Sequence, residues 1–174
     1  MNYIHGPNTQ QGGEVIEALK GSSINRKPTL TFKKLDDSAI MPKTAHKGDA
    51  GLDLCAIRSG WIYPGESAIV GTGLAIEIPD GFAGFVLPRS GLAASENITI
   101  VNSPGLIDSG YRGEIQVILH KLYNPNQYNQ EFEWDAGDRI AQLVIQKVEN
   151  LNLAVVEILS TTDRGEGGLG STGQ

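Results

Sequence analysis

The stretch NSPGLIDSGYRGE (102–114) holds an aspartate between two pairs of turn-forming residues. Pro104-Gly105 and Ser109-Gly110 enclose Leu106, Ile107 and Asp108, and Tyr111 follows at once. A carboxylate fixed on a tight hairpin beside an aromatic ring is a costly placement unless it is used. Four other stretches carry polar groups in suggestive company. DAGLDLCA (49–56) sets Asp49 and Asp53 around a glycine at the start of an apolar run, a pattern that also suits a turn capped by either carboxylate. PRSG (88–91) puts Arg89, Ser90 and Gly91 where a guanidinium and backbone N–H groups can converge on an anion, although an ordinary surface turn reads alike. GDRIAQLV (137–144) brings Arg139 and Gln142 to the head of a strand, with an Asp138–Arg139 surface pair as the plain alternative. RGEGGLGSTG (164–173) is either a loose tail or a strap whose amides, hydroxyls and guanidinium close over a phosphate chain.

The elements that must position these groups are mainly strands. TLTFKKL (29–35), SAIVGTGLAIEI (67–78), GFAGFVLP (81–88), ITIVN (98–102), EIQVILHKLYN (114–124) and RIAQLVIQKVENLNLAVVEI (139–158) are rich in β-branched residues. Turn chemistry separates them: DGFAG, NSPG, YNPN and DAGD. Many short strands punctuated this way predict an all-β barrel or jelly roll. One brief helix is expected near SGLAASEN (90–97), with Ser90 as its cap. Residues 1–27, dominated by Asn, Gln, Gly and Ser, read as a mobile extension.

At 174 residues the chain is expected to form one main domain. Its formal charge of -6 argues against nucleic acid or an anionic membrane as partner, so an anionic ligand must be held by a few local cations. Cys55 is the single cysteine, the three histidines are scattered, and there is no long apolar run or signal-peptide pattern. These features predict a soluble protein of the reducing cytoplasm, without a zinc site.

Taken together and in order, DAGLDLCA, LPRSGLA, VNSPGLIDSGYRGE, GDRIAQLV and RGEGGLGSTG resemble the five motifs of the homotrimeric dUTPase family, across residues 49–173. The resemblance implies a distorted jelly-roll barrel over 28–160, with a C-terminal arm over 161–174 that closes on a neighbouring subunit. It implies hydrolysis of dUTP to dUMP and pyrophosphate, which keeps uracil out of DNA and supplies dUMP for thymidylate synthesis. It also implies a homotrimer whose sites draw the third motif from one chain, the first, second and fourth from another, and the fifth from the third.

Residue by residue, the resemblance makes Asp108 the base that readies water for in-line attack at the α-phosphorus. Tyr111 would lie against the deoxyribose and leave no room for a 2′-OH. Asn102 and the backbone of Gly105, Leu106 and Ile107 would pair with the uracil edge, in a hairpin too tight for a thymine methyl. Arg89, Ser90 and Gly91, with Gln142, would take the α- and β-phosphates. Arg164, Gly168, Ser171 and Thr172 would take the γ-end. Mg²⁺ would bridge the phosphates, with Asp53 reaching it through water, and Gln116 would face the sugar or phosphates. Arg139 with Asp138 is assigned to supporting structure.

One position departs from the family pattern. Leu169 stands where many relatives carry a phenylalanine that stacks on uracil, which implies a less sharply closed arm. Two other readings bear on the same fold. A dCTP deaminase would need a glutamate ten residues beyond the hairpin aspartate, where this chain has Ile118, a side chain that cannot carry a proton. A nucleotide-sensing regulatory protein would use the extension or the KLYNPNQYNQEFEW segment (121–134) to hold a partner.

Overall fold

The computed structural model describes residues 27–125 and 130–168. Among them are ten strands: β1 (Thr31–Lys34), β2 (Leu52–Cys55), β3 (Gly60–Ile62), β4 (Ser67–Glu77), β5 (Phe82–Leu87), β6 (Ile98–Ile100), β7 (Gly105–Ile107), β8 (Glu114–Lys121), β9 (Phe132–Trp134) and β10 (Arg139–Lys147). One helix, α1 (Ser90–Glu96), interrupts them. No helix among the described residues is long and apolar enough to cross a membrane.

Two four-stranded antiparallel sheets, ordered β1-β4-β8-β6 and β2-β10-β5-β7, face each other, and β3 and β9 form a ribbon beside them. This is the expected jelly-roll arrangement. Strict alternation builds its interior: Ile115, Val117 and Leu119 of β8 point inward from one sheet, and Leu54 and Leu143 from the other. Ile140 and Ala141 are both buried although adjacent, because the β2–β10 register slips between Arg139 and Ala141.

A larger irregularity bends β4, where the register against β8 shifts between Gly71 and Ala75. Gly73 turns the chain there with φ 68°, and an added Cβ would approach Ile57 Cδ1 to 2.9 Å. Side chains replace the interrupted ladder bonds. Gly73 N–H donates to Glu114 Oε1 (2.8 Å), Leu74 N–H to Thr72 Oγ1 (3.3 Å), and the buried Thr72 hydroxyl to the Ile115 carbonyl (2.8 Å).

Three expectations need correction. The strand read over 139–158 ends at Lys147, and beyond it Leu151, Leu153, Val155, Ile158 and Leu159 are exposed and belong to neither sheet. Ser90 does not cap α1: the N-cap is Arg89, in extended backbone and without a side-chain cap bond, and Ser90 is the first helical residue. Finally, the segment 121–134 ends in a core strand, since Phe132 and Trp134 of β9 are buried with ring centroids 5.9 Å apart. The extension read over 1–27 lies outside the described residues except for Lys27.

Candidate active site

β6 belongs to one sheet and β7 to the other, so the chain from Asn102 to Asp108 bridges their edges. The bridge walls a cavity of about 270 Å³ lined by Asn102, Gly105, Leu106, Ile107, Asp108, Tyr111 and Gln116, over a floor that includes Val86, Ile115 and Ile118. Seven residues singled out in the sequence thus meet in one place. Among the described residues β7 pairs with β5 on one side only, and its other backbone edge has no strand partner there. Such an edge offers N–H and C=O groups in the planar spacing that a base edge can match. Glycine at 105 keeps that approach open, because a Cβ there would stand 3.2 Å from Asn102 Nδ2 and 3.4 Å from Val86 Cβ.

The turn carrying Asp108 is tied down locally. Tyr111 N–H donates to the Asp108 carbonyl (3.0 Å), and the Tyr111 hydroxyl donates to the Glu114 carbonyl (2.9 Å). Arg112, to which the sequence assigns no role, clips the outside of the turn. Its Nη1 donates to the carbonyls of Ser109 (2.6 Å) and Tyr111 (2.8 Å), and its Nη2 lies 3.5 Å from Glu77 Oε1. Only its place one residue past a turn distinguishes it from other exposed cations.

A second cluster forms where β2, β10 and the start of α1 meet. Asp53 on β2 stands opposite Gln142 on β10. Its two oxygens lie 3.5 Å from Arg89 Nε and 3.3 Å from Arg139 Nη1. Arg89 Nη1 also donates to the Arg139 carbonyl (2.9 Å), and Gln142 Nε2 to the Pro88 carbonyl (2.9 Å). Glycine at 51 makes room for Gln142, since a Cβ there would fall 2.5 Å from its Oε1. The expected Asp138–Arg139 pair does not form. Asp138 instead accepts from Asp135 N–H (2.9 Å) to close the preceding turn, and Arg139 turns to Asp53.

Two guanidiniums on one carboxylate leave a local positive excess on an acidic chain, at the end of α1 where the first N–H groups of Ser90 and Gly91 have no intrahelical acceptor. Behind the cluster, burial first and then the neighbouring Asp53 charge push the Cys55 thiol above its usual range, so it stays protonated and takes no part. Among the described residues no three His, Cys, Asp or Glu side chains are grouped to cage an ion. Asp53, whose carboxylate oxygens keep further lone pairs beside the two arginines, is the group in this cluster with which the waters of a hydrated Mg²⁺ would be compatible.

The two clusters share no lining residue: Arg89, Asp53 and Gln142 are absent from the walls of the Asp108 cavity. Arg164 joins neither. It is exposed, with Nε donating to the Gly167 carbonyl (2.9 Å) in a compact turn that ends near Gly168. Leu169, Ser171 and Thr172 lie outside the described residues.

A two-sheet antiparallel barrel with a backbone-edged cavity and a separate arginine–carboxylate cluster defines a jelly-roll protein with two distinct polar sites. The chain belongs to the dUTPase family, whose model, described as dUTPase, matches residues 37–173. It is 48% identical to the deoxyuridine 5'-triphosphate nucleotidohydrolase of Clostridium acetobutylicum, over 83% of this chain and 96% of that one. The protein of that description from Corynebacterium glutamicum is 53% identical over 83% of this chain and 95% of its own. Among solved structures, the Staphylococcus bacteriophage 80alpha dUTPase with dUPNHPP superposes with a TM-score of 0.78 at 30% identity, covering 84% of this chain and 99% of that one. A mutant dUTPase from phage phi11 of S. aureus, described with a structural Mg(II) ion, superposes with a TM-score of 0.69 at 27% identity, covering 75% of this chain and 97% of that one.

Proposed function

We propose that this chain hydrolyses dUTP to dUMP and pyrophosphate in the cytoplasm, as a homotrimer with shared sites. The observation that carries the reading is the Asp108 cavity, where the Asp108 carboxylate, the Tyr111 ring and the outer edge of β7 converge, with Glu114 also in the wall. The base enters first. Asn102 and the Gly105–Ile107 backbone match the donor and acceptor edge of uracil, and the close quarters of the hairpin reject a 5-methyl group by exclusion. Tyr111 covers the deoxyribose and leaves no space for a 2′-hydroxyl. Gln116 borders the same cavity and would meet the sugar or the first phosphate.

With the nucleoside fixed, Asp108 holds a water and takes its proton as the oxygen attacks the α-phosphorus in line with the departing pyrophosphate. Chemistry of this kind depends mainly on positioning and charge stabilisation. Arg89, the amides of Ser90 and Gly91, and Gln142 spread the charge of the α- and β-phosphates. Arg164, with Gly168, Ser171 and Thr172 of the arm, receives the γ-end, and Leu169 covers the base. Mg²⁺, when bound to the triphosphate, supplies charge neutralisation, and Asp53 orients both arginines while reaching the metal's waters.

Assembly accounts for the separation of the two clusters. A site completed by a neighbour needs no single chain to hold all its parts, and the exposed apolar run from Leu151 to Leu159 would be covered by that neighbour. Against deamination, Ile118 lines the cavity where a proton carrier would be required. Pyrophosphate release with dUTP, dTTP, dCTP and UTP in the presence of Mg²⁺ tests the reading. Turnover confined to dUTP is expected; comparable turnover of dTTP or UTP contradicts the assigned roles of the hairpin and Tyr111.

A further inference from the structure

Glycine at 113 has no backbone reason to be there. Its φ is not among the left-handed ones of the described residues, so an L side chain fits the main chain without strain. What a side chain would meet is the Tyr111 ring: a Cβ on residue 113 would fall 2.6 Å from Tyr111 Cζ and 3.0 Å from Cε2, with the hydroxyl closer still. From the other side, the same hydroxyl is drawn to the Glu114 carbonyl at 2.9 Å. The bare α-carbon of Gly113 and the carbonyl of Glu114 thus make a collar around the end of the ring.

The main chain of Tyr111 cannot yield instead. Its N–H is bonded to the Asp108 carbonyl, and its own carbonyl accepts from Arg112, which is anchored in turn near Glu77. All three atoms nearest a group placed at 113 belong to the end of the Tyr111 side chain, so such a group presses on the ring that borders the cavity.

We propose that Gly113 is a specificity-determining position, which sets the distance of the Tyr111 ring from the sugar and so the exclusion of ribonucleotides. This rests on the reading of Tyr111 as the wall against the deoxyribose. Gly113 touches no substrate and acts through the ring as a positioning residue. A larger residue at 113 unseats the ring, and discrimination against the 2′-OH falls even though every group that contacts the nucleotide is still present.

The test is kcat/KM for dUTP and for UTP, by pyrophosphate release from the full-length protein, in Gly113→Ala, Tyr111→Phe, Tyr111→Ala and the Gly113→Ala/Tyr111→Ala double variant. Folding is checked by thermal melting. The dUTP-over-UTP ratio should fall about tenfold or more in Gly113→Ala, the low end of what one misfitted methyl group costs in a tight pocket. It should fall less in Tyr111→Phe, which keeps the ring but loses the bond to Glu114. Adding Gly113→Ala to Tyr111→Ala should change the ratio no further, since there is no ring left to move. A folded Gly113→Ala protein with the parental ratio, or an added loss in the double variant, overturns the proposal. If Tyr111→Ala keeps the parental ratio, the sugar-wall reading itself has failed and the proposal with it; a ratio lost in Tyr111→Ala but kept in Gly113→Ala removes only the role of Gly113. Should Gly113→Ala not fold, an unchanged ratio in Tyr111→Phe overturns the collar.

Discussion

Asp53 holds two cations at once, and that sharing organises the cluster proposed to meet the phosphates. Without its charge, Arg89 and Arg139 would repel each other across the gap they now share, and Arg89 would lose the orientation that aims its remaining donors outward. Asp53→Asn should lower kcat/KM for dUTP by about 10²-fold, the scale of a misplaced positioning group. It should cost only about 1 kcal/mol of stability, because the arginines are partly solvated. The Mg²⁺ concentration giving half-maximal rate should rise as well; steady-state kinetics with a metal titration and a denaturant melt check the three together, and an unchanged rate would contradict the assignment. The sequence marks this carboxylate but not its partners. Asp53 and Arg139 are 86 residues apart, and only the β2–β10 register turns Arg139 away from its chain neighbour Asp138. Arg112 is illegible for a related reason: an exposed arginine looks like ordinary solvation until the carbonyls that it clips are in view.

All the longer elements are readable from pattern, and of the shorter ones only β1 and β6, which sit inside the longer apolar stretches TLTFKKL and ITIVN. β4, β8 and β10 carry enough β-branched residues to be seen as strands, and β5 is seen from its aromatic and apolar run. β2, β3, β7 and β9 span three or four residues each, too few for a period of two to stand out. The overrun of β10 to 158 has a physical cause, since the composition stays strand-like after Lys147 although the chain there pairs with neither sheet. The hairpin is legible because its turn residues bracket a charged one, yet its position between the two sheets comes from pairing of β6 with β8 and β7 with β5. For the arm, the consequence lies in Leu169, where a stacked aromatic would contribute about 1–3 kcal/mol against a base. Leu169→Phe should therefore tighten binding of a non-hydrolysable dUTP analogue, measured by calorimetry, by several-fold. Unchanged or weaker binding would show that the arm does not close on the ring.

At the scale of the whole molecule, the cavity and the arginine cluster lie apart on a single chain, and the proposed trimer would bring them together. The exposed run through Leu153, Val155 and Ile158 is more apolar surface than a monomer ordinarily leaves in water. Light scattering should return three times the chain mass of 18.6 kDa. Mixing Asp108→Asn chains with Arg89→Ala chains, each inactive alone, should restore activity, because some sites then combine two intact halves. A fully active monomer, or no recovery from exchanged trimers, would refute the shared site.

The most direct measurement is the kcat of Asp108→Asn for dUTP beside the parent, with analogue binding measured in both. A loss of about 10²- to 10⁴-fold in kcat is expected, the contribution of a positioned general base, with affinity for the analogue little changed. A variant that turns over dUTP at the parental rate would contradict that role.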